Sequence, residues 1–361
     1  MRRVQINELD FKGQNIYVGI DVHLNSWSVS VLSEHSVLKK FSQNPDAELL
    51  HKFLTNNYPG ANYHSVYEVG FCGFWIHHRL VQLGINNIVV NPADVPTMSK
   101  EKLRKTDVVD CSKLARELRS KSLTGIYVPD EAILEMRSLI RLRGQIVKDT
   151  TREKNRIKSL LRFHGIEIPE GFMKHSIGNW SKRFLMWLRE VELSTEYGRK
   201  TLDLHIDSFI RLRGMLLQET RAIREISGKE PFRETIRLLT SVPGIGITTA
   251  ILLLVEIDDI SRFANSEQLA SFIGLTPMCH SSGEKEGVGD ITLRKHATLR
   301  CCLIEAAWVA VRRDPAMTFS YEGFRKRMIA QKAIVKIARK LVNRIFFVLK
   351  HKQEYVCRIV K

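Results

Sequence analysis

Apolar and polar positions in the first third of the chain follow the two-residue period of strands. Residues 16–22 (IYVGIDV) form an apolar run rich in β-branched residues, 27–32 (WSVSVL) alternate, and 37–41 (VLKKF) make a third short run, which together predict a three-stranded meander. A helix is expected near 46–56, a fourth strand at 64–69 (HSVYEV), a helix near 73–84, a fifth strand at 87–90 (NIVV) and a helix over about 107–121 (DVVDCSKLARELRSK). From about 131 to 230 the apolar residues recur at helical spacing and strand signals are few. Residues 236–257 (IRLLTSVPGIGITTAILLLVEI) read as helix, turn, helix. The glycine-containing stretch 274–290 reads as a polar surface loop, and apolar helices return from about 295. In the tail, 323–361, the apolar neighbours Ile334–Val335 and Phe346–Phe347 argue for an amphipathic helix over a disordered arm. These shifts divide the chain into 1–125 (α/β), 126–234 (helical) and 235–361 (mostly α), within the two or three domains that 361 residues allow.

Charge changes the picture more than composition does. The chain carries 56 Lys plus Arg against 39 Asp plus Glu, a net charge of +17, with a pI near 9.7. A polyanion is the natural partner, and nucleic acid is the commonest one, because each neutralised phosphate releases condensed counterions. Residues 137–162 hold nine Lys or Arg and two acids, a face that is either merely solvated or tracks phosphates. The tail 323–361 holds twelve Lys or Arg and one Glu. None of the six cysteines forms a C-x-x-C pair, so neither zinc nor a disulfide framework is suggested. No signal segment and no run of eighteen apolar residues is present, so the expectation is a cytoplasmic protein with no membrane partner.

Candidate chemistry lies in the acids. Asp21 ends the first strand and Glu68 is embedded near the end of the fourth, where an unpaired carboxylate is costly. Asp107 and Asp110 stand three apart at the start of a helix and share one face. Converging at one sheet edge, the four would suit Mg²⁺, which takes hard oxygen ligands and completes its shell with phosphate. Each acid taken singly is also explained as a helix cap or a strand-end residue. Lys100, Lys102, Arg104 and Lys105 precede the Asp pair and could hold substrate phosphates. Pro243-Gly244-Ile245-Gly246 has the form of a helix-hairpin-helix turn, which either contacts phosphate through Gly244 and Gly246 or simply closes a tight hairpin. Ser281 and Ser282 precede a glycine, with Arg294, Lys295 and Arg300 downstream as further phosphate-binding candidates. A serine needs activation to be a nucleophile, and no triad order is evident.

The strand–helix order βββαβαβα is that of RNase H-like domains. YVGIDVH, Glu68 and KTDVVD in front, then LLTSVPGIG, FIGLTP, SSG and the Leu-Arg at 299–300, resemble the DEDD-type transposases of the bacterial "one-ten" insertion-sequence family. The resemblance covers most of the chain and implies a Holliday-junction-resolvase-like DEDD domain followed by a C-terminal transposase domain. It further implies that Asp21, Glu68, Asp107 and Asp110 bind Mg²⁺ and that Ser282, with Ser281 as the alternative, attacks the DNA backbone. An element-encoded noncoding RNA as guide, and a homodimer or homotetramer, follow from the same resemblance. The segment Leu293-Arg294-Lys295-His296-Ala297 lacks a glycine that family members commonly carry, which bears on local loop geometry. Two other readings remain open: a metal-dependent nuclease or junction resolvase whose serine is structural, and a noncatalytic nucleic-acid-binding relic.

Overall fold

The computed structural model describes residues 11–98, 106–173, 180–282 and 285–357, apart from the side chains of 173 and 279–289. The chain divides into two compact units, Met1–Pro129 and Asp130–Lys361.

Unit 1 is built on a mixed five-stranded sheet in the order β3-β2-β1-β4-β5. Its strands are β1 (Asn15–Val22), β2 (Trp27–Leu32), β3 (Val37–Gln43), β4 (Asn62–Glu68) and β5 (Asn86–Val90). The first three form the expected antiparallel meander, and β1, β4 and β5 run parallel. Parallel neighbours need crossovers, and α1 (Ala47–Asn57) and α2 (Trp75–Gln82) supply them. Asp46 caps α1 by accepting from the Leu49 amide at 3.0 Å. Leu50 and Leu54 of α1 with Ile76 and Leu80 of α2 pack against Ile16, Val18, Ile20, Val29, Tyr67 and Val89 on one sheet face. The other face receives α3 (Asp107–Arg119), whose Leu114 joins Val66 and Val90, and whose Ala115 joins Tyr17.

Unit 2 is helical, with one small hairpin of strands. Two long helices, α4 (Glu131–Phe163) and α6 (Glu196–Ser227), run antiparallel: Arg143 lies near Glu219 and Glu153 near His205. One end is closed by α5 (Lys182–Glu190), which inserts Phe184 and Leu188 among Ile157, Leu161, Leu202 and Ile206. At the other end, Ile140 and Ile223 enter a larger core made by α7 (Phe232–Thr240), α8 (Ile247–Ile257), α9 (Ser266–Ile273), α10 (Ala297–Arg313), α11 (Pro315–Arg325) and α12 (Ala330–His351). The tail thus forms the expected amphipathic helix, burying Ile334, Ile337, Leu341 and Ile345. Residues 236–257 form helix, turn and helix as read.

One expectation is corrected. The stretch 274–290 is not a loop throughout: β6 (Pro277–Ser282) and β7 (Lys285–Ile291) pair as an antiparallel hairpin. The ladder is made by backbone groups, which glycine-containing segments supply as well as any other. Among the described residues, no helix is long and apolar enough to cross a membrane.

Candidate active site

Strand periodicity decides where the acids point. Side chains two apart share a face, so Asp21 stands on the face of Gly19 and Glu68 on that of Val66, the face covered by α3. The parallel register pairs Ile20 with Tyr67, which makes Asp21 and Glu68 the next residues on adjacent strands. Gly19 brings the helix down. A Cβ there would lie 2.5 Å from the Ala115 amide nitrogen and closer still to the Cys111 carbonyl oxygen, so only glycine allows this approach. The first turn of α3, carrying Asp107 and Asp110, is thereby held over the ends of β1 and β4.

Two basic side chains knit the acids together. His23 Nε2 lies 3.2 Å from Asp21 Oδ2 and 3.5 Å from Asp107 Oδ1. Lys113 Nζ lies 3.2 Å from Asp110 Oδ1 and 3.5 Å from Glu68 Oε1, with its side chain only 9% exposed. All four acids are therefore engaged around one sheet edge, in two pairs. Burial raises the Asp21 carboxyl above its ordinary range; the His23 ring opposes the shift, and the charges of Asp107 and Asp110 add to it. Asp21, His23 and Asp107 offer three ligand atoms within 4.8 Å of one another, a donor set that fits a divalent cation. Reading the sequence for acids alone missed His23 and Lys113. Their signals were present, one two residues beyond Asp21 and the other three beyond Asp110 on the same helical face.

The other candidates lie in unit 2 or outside the described residues. Ser282 is the last residue of β6, opposite Lys285 at the tip of the hairpin, and its side chain and that of Ser281 are not among those described. At the hairpin base, the Thr292 amide donates to the Thr276 carbonyl at 3.0 Å. Arg300 donates through Nη1 to the carbonyls of Gly274 at 3.1 Å and Thr292 at 2.8 Å, fastening both arms. Arg294 is exposed in the segment between β7 and α10. His296 caps α10, its Nδ1 accepting from the Leu299 amide at 3.3 Å, so its Nε2 hydrogen faces Glu256 at 3.2 Å. Glu256 also takes two donors from Arg141, each at 2.9 Å. Burial alone would push its carboxyl up; the bonds from His296 and Arg141 overcome this and hold it at about 2.

The glycine turn divides its two glycines. Gly244 has φ +94° and lies against α10, where a Cβ would stand 3.2 Å from the Ala310 amide and closer to the Ala306 carbonyl. Gly246 caps α8 and has open space where a Cβ would be. Lys100, Lys102, Arg104 and Lys105 lie outside the described residues.

The carboxylates gathered at the ends of the two central strands and on the helix above them lie in the segment that matches the DEDD transposases. The DEDD transposase family model matches residues 18–166, which contain all four acids, and that of the transposase IS116/IS110/IS902 family matches 236–322, which contain the glycine turn and both serines. Similar proteins include the putative transposase y4qE of Sinorhizobium fredii, 30% identical over 67% of this chain, a match spanning only 57% of that protein's length. The transposase for insertion sequence element IS1533 of Leptospira borgpetersenii is 27% identical over 82% of this chain and 85% of its own. That for IS1111A of Coxiella burnetii is 26% identical over 80% and 78%. The chain belongs to the IS110 family of insertion-sequence transposases.

Proposed function

We propose that this chain cuts and rejoins the DNA strands of an insertion sequence, with an RNase H-like unit 1 as its metal-holding half and Ser282 as its nucleophile. The observation that carries the reading is the gathering of Asp21, Glu68, Asp107 and Asp110 around one sheet edge, on the two central parallel strands and the helix above them. The carboxylates would hold Mg²⁺, which when bound polarises a phosphoryl oxygen and stabilises the charge that develops in the transition state. The Ser282 hydroxyl forms an Oγ–P bond, the bridging P–O bond of the DNA breaks, and the serine proton passes to the departing oxygen. Reversal on another strand end rejoins DNA without an external energy source, because the phosphoester count is unchanged. Lys105, Arg294, Arg300, Gly244 and Gly246 are proposed as backbone contacts, with Gly246 the better placed of the two glycines because space opens beside it.

DNA is the substrate of this reading. An element-encoded RNA as second partner is supported by the net charge of +17. Assembly as a homodimer or homotetramer is supported by exposed apolar residues along the long helices, among them Leu142, Ile210, Met215 and Leu217.

The test is a trapping assay with purified protein, Mg²⁺, the flanking noncoding RNA and labelled element-junction DNA, denatured before electrophoresis. DNA bound covalently to protein, lost in Ser282→Ala and in Asp21→Ala, is the expected result. Cleavage without an adduct, retained in Ser282→Ala, would instead make the chain a metal-dependent nuclease or junction resolvase. Binding with no reaction, beside an active relative, would make it a noncatalytic relic.

A further inference from the structure

The hairpin that carries Ser282 leaves the helical core by two arms that are rooted differently. The first arm follows α9 directly, with Ile273 and Leu275 buried in the core on either side of Gly274. Beyond Ile291 the second arm runs over the surface: Leu293, Arg294, Lys295, Ala297 and Thr298 are all exposed. His296 is the side chain of this stretch that turns inward, toward Glu256. The arms are tied to each other by Arg300 and by the bond from Thr292 to Thr276. Lys295 crosses so close over Gly274 that a Cβ there would lie 2.5 Å from the Lys295 Cβ.

One neutral tautomer of His296 makes two contacts. Its Nδ1 accepts from the Leu299 amide at 3.3 Å, which caps α10 and leaves the proton on Nε2, 3.2 Å from Glu256 Oε2. Glu256 stands on α8 with its side chain only 3% exposed, and it is held in turn from α4. Arg141 gives it two bonds of 2.9 Å, and Arg137 Nε lies 3.5 Å away. A chain of contacts thus runs from α4 through α8 to the second arm of the hairpin. Bonds of this kind are directional and strong in a low-dielectric interior, so they fix a position that apolar contacts would let slide. Held at about 2, the carboxylate stays charged throughout the neutral range.

We propose that Glu256 is a positioning residue for the strand-cutting reaction: through His296 it sets where the serine hairpin leaves the core, and thereby where Ser282 stands. The proposal rests on the reading of Ser282 as the nucleophile and deepens it. A two-stranded hairpin has little stability of its own, so its direction has to be set at its base. Attack on phosphorus requires the hydroxyl in line with the departing oxygen, and a misplacement of about 1 Å costs on the order of a hundredfold in rate.

The experiment uses the full chain and two readouts. Amide hydrogen exchange over residues 274–292, read by mass spectrometry, needs no reaction. The second readout is the rate of covalent adduct formation at saturating element-junction DNA, with Mg²⁺ and the flanking RNA present. His296→Ala removes both contacts of the ring. Glu256→Gln keeps the shape of the side chain but presents an N–H where the carboxylate had an acceptor, so Arg141 or His296 loses its bond. Both variants should speed exchange in this segment and slow adduct formation by about tenfold or more, with DNA affinity changed by less than about twofold. Phe184→Leu, at the far end of the long helix pair, should lower the unfolding midpoint with neither effect, which separates positioning from lost stability. His296→Ala leaves the buried carboxylate paired with Arg141, so it decides the matter should Glu256→Gln fail to fold. Unchanged exchange in the folded variants, or faster exchange with an unchanged adduct rate, would overturn the proposal. A failure of the underlying reading looks different: the unsubstituted chain then gives no adduct that depends on Ser282. The positioning role falls with it, whatever the exchange shows of the hairpin's attachment.

Discussion

Gly19 carries no functional group, yet the geometry of the acidic edge depends on it. Any side chain there would strike the α3 backbone at Cys111 and Ala115 and lift the helix that carries Asp107 and Asp110. Gly19→Ala should therefore cost about 1–3 kcal/mol by overpacking and weaken divalent-ion binding as well. Urea unfolding with and without Mn²⁺ checks both, and an unchanged midpoint would show that α3 is not seated as described. Glu256 is the contrasting case, a buried acid whose partners make it stabilising. Its folded value of about 2 lies below its ordinary 4.5, so its contribution is full above pH 4.5 and is lost as pH falls toward 2. That contribution is on the order of 3 kcal/mol, and Glu256→Gln should flatten the stability profile across this window. The same scale shows what the sequence could tell. Asp21 and Glu68 were conspicuous because each interrupts an apolar strand. His23 and Lys113 were not, because a polar residue just after a strand or inside a helix is ordinary until α3 is known to close over the sheet.

Among the elements, regular periods were legible and backbone-made features were not. The strands of unit 1 and the helices flanking the glycine turn follow from apolar spacing, because burial of a face is what that spacing encodes. The sequence of the β6 and β7 hairpin shows no alternating apolar pattern; its ladder pairs the two strands, and Arg300 ties its base. Nor does a Pro-Gly-x-Gly string say which glycine packs and which opens to solvent. Gly244→Ala places a side chain at φ +94° against the backbone of α10, whereas Gly246→Ala meets open space. The first should lower the unfolding midpoint by the equivalent of about 1–3 kcal/mol, and the second should leave folding within about 1 kcal/mol of the parent chain. Should Gly246→Ala nevertheless weaken DNA binding in a gel-shift assay, the loss belongs to the nucleic-acid contact and not to the fold. Equal unfolding midpoints for the two variants would refute this division.

Across the whole molecule, basic charge and acidic chemistry are kept apart. Residues 1–129 carry 15 Lys or Arg against 12 Asp or Glu, and residues 130–361 carry 41 against 27. Nearly all of the surplus thus lies in the helical unit, while the unit bearing the clustered carboxylates is close to neutral. This division suits a polyanionic substrate: carboxylates repel phosphates, so attraction has to be supplied elsewhere on the protein. Binding to DNA should then weaken steeply with salt, by about 10³–10⁵ between 50 and 200 mM if some 6–10 phosphates are contacted. The helical unit should set that slope. Lys148 and Arg162 are exposed on α4, and Lys52 is exposed on α1. Lys148→Glu combined with Arg162→Glu should reduce the salt slope by about two, one for each phosphate contact removed, while Lys52→Glu should leave it nearly unchanged. Fluorescence anisotropy over a salt series measures both slopes on the same DNA. A larger effect from Lys52→Glu would place the phosphate track on the sheet unit, and the surplus of the helices would then serve something other than DNA.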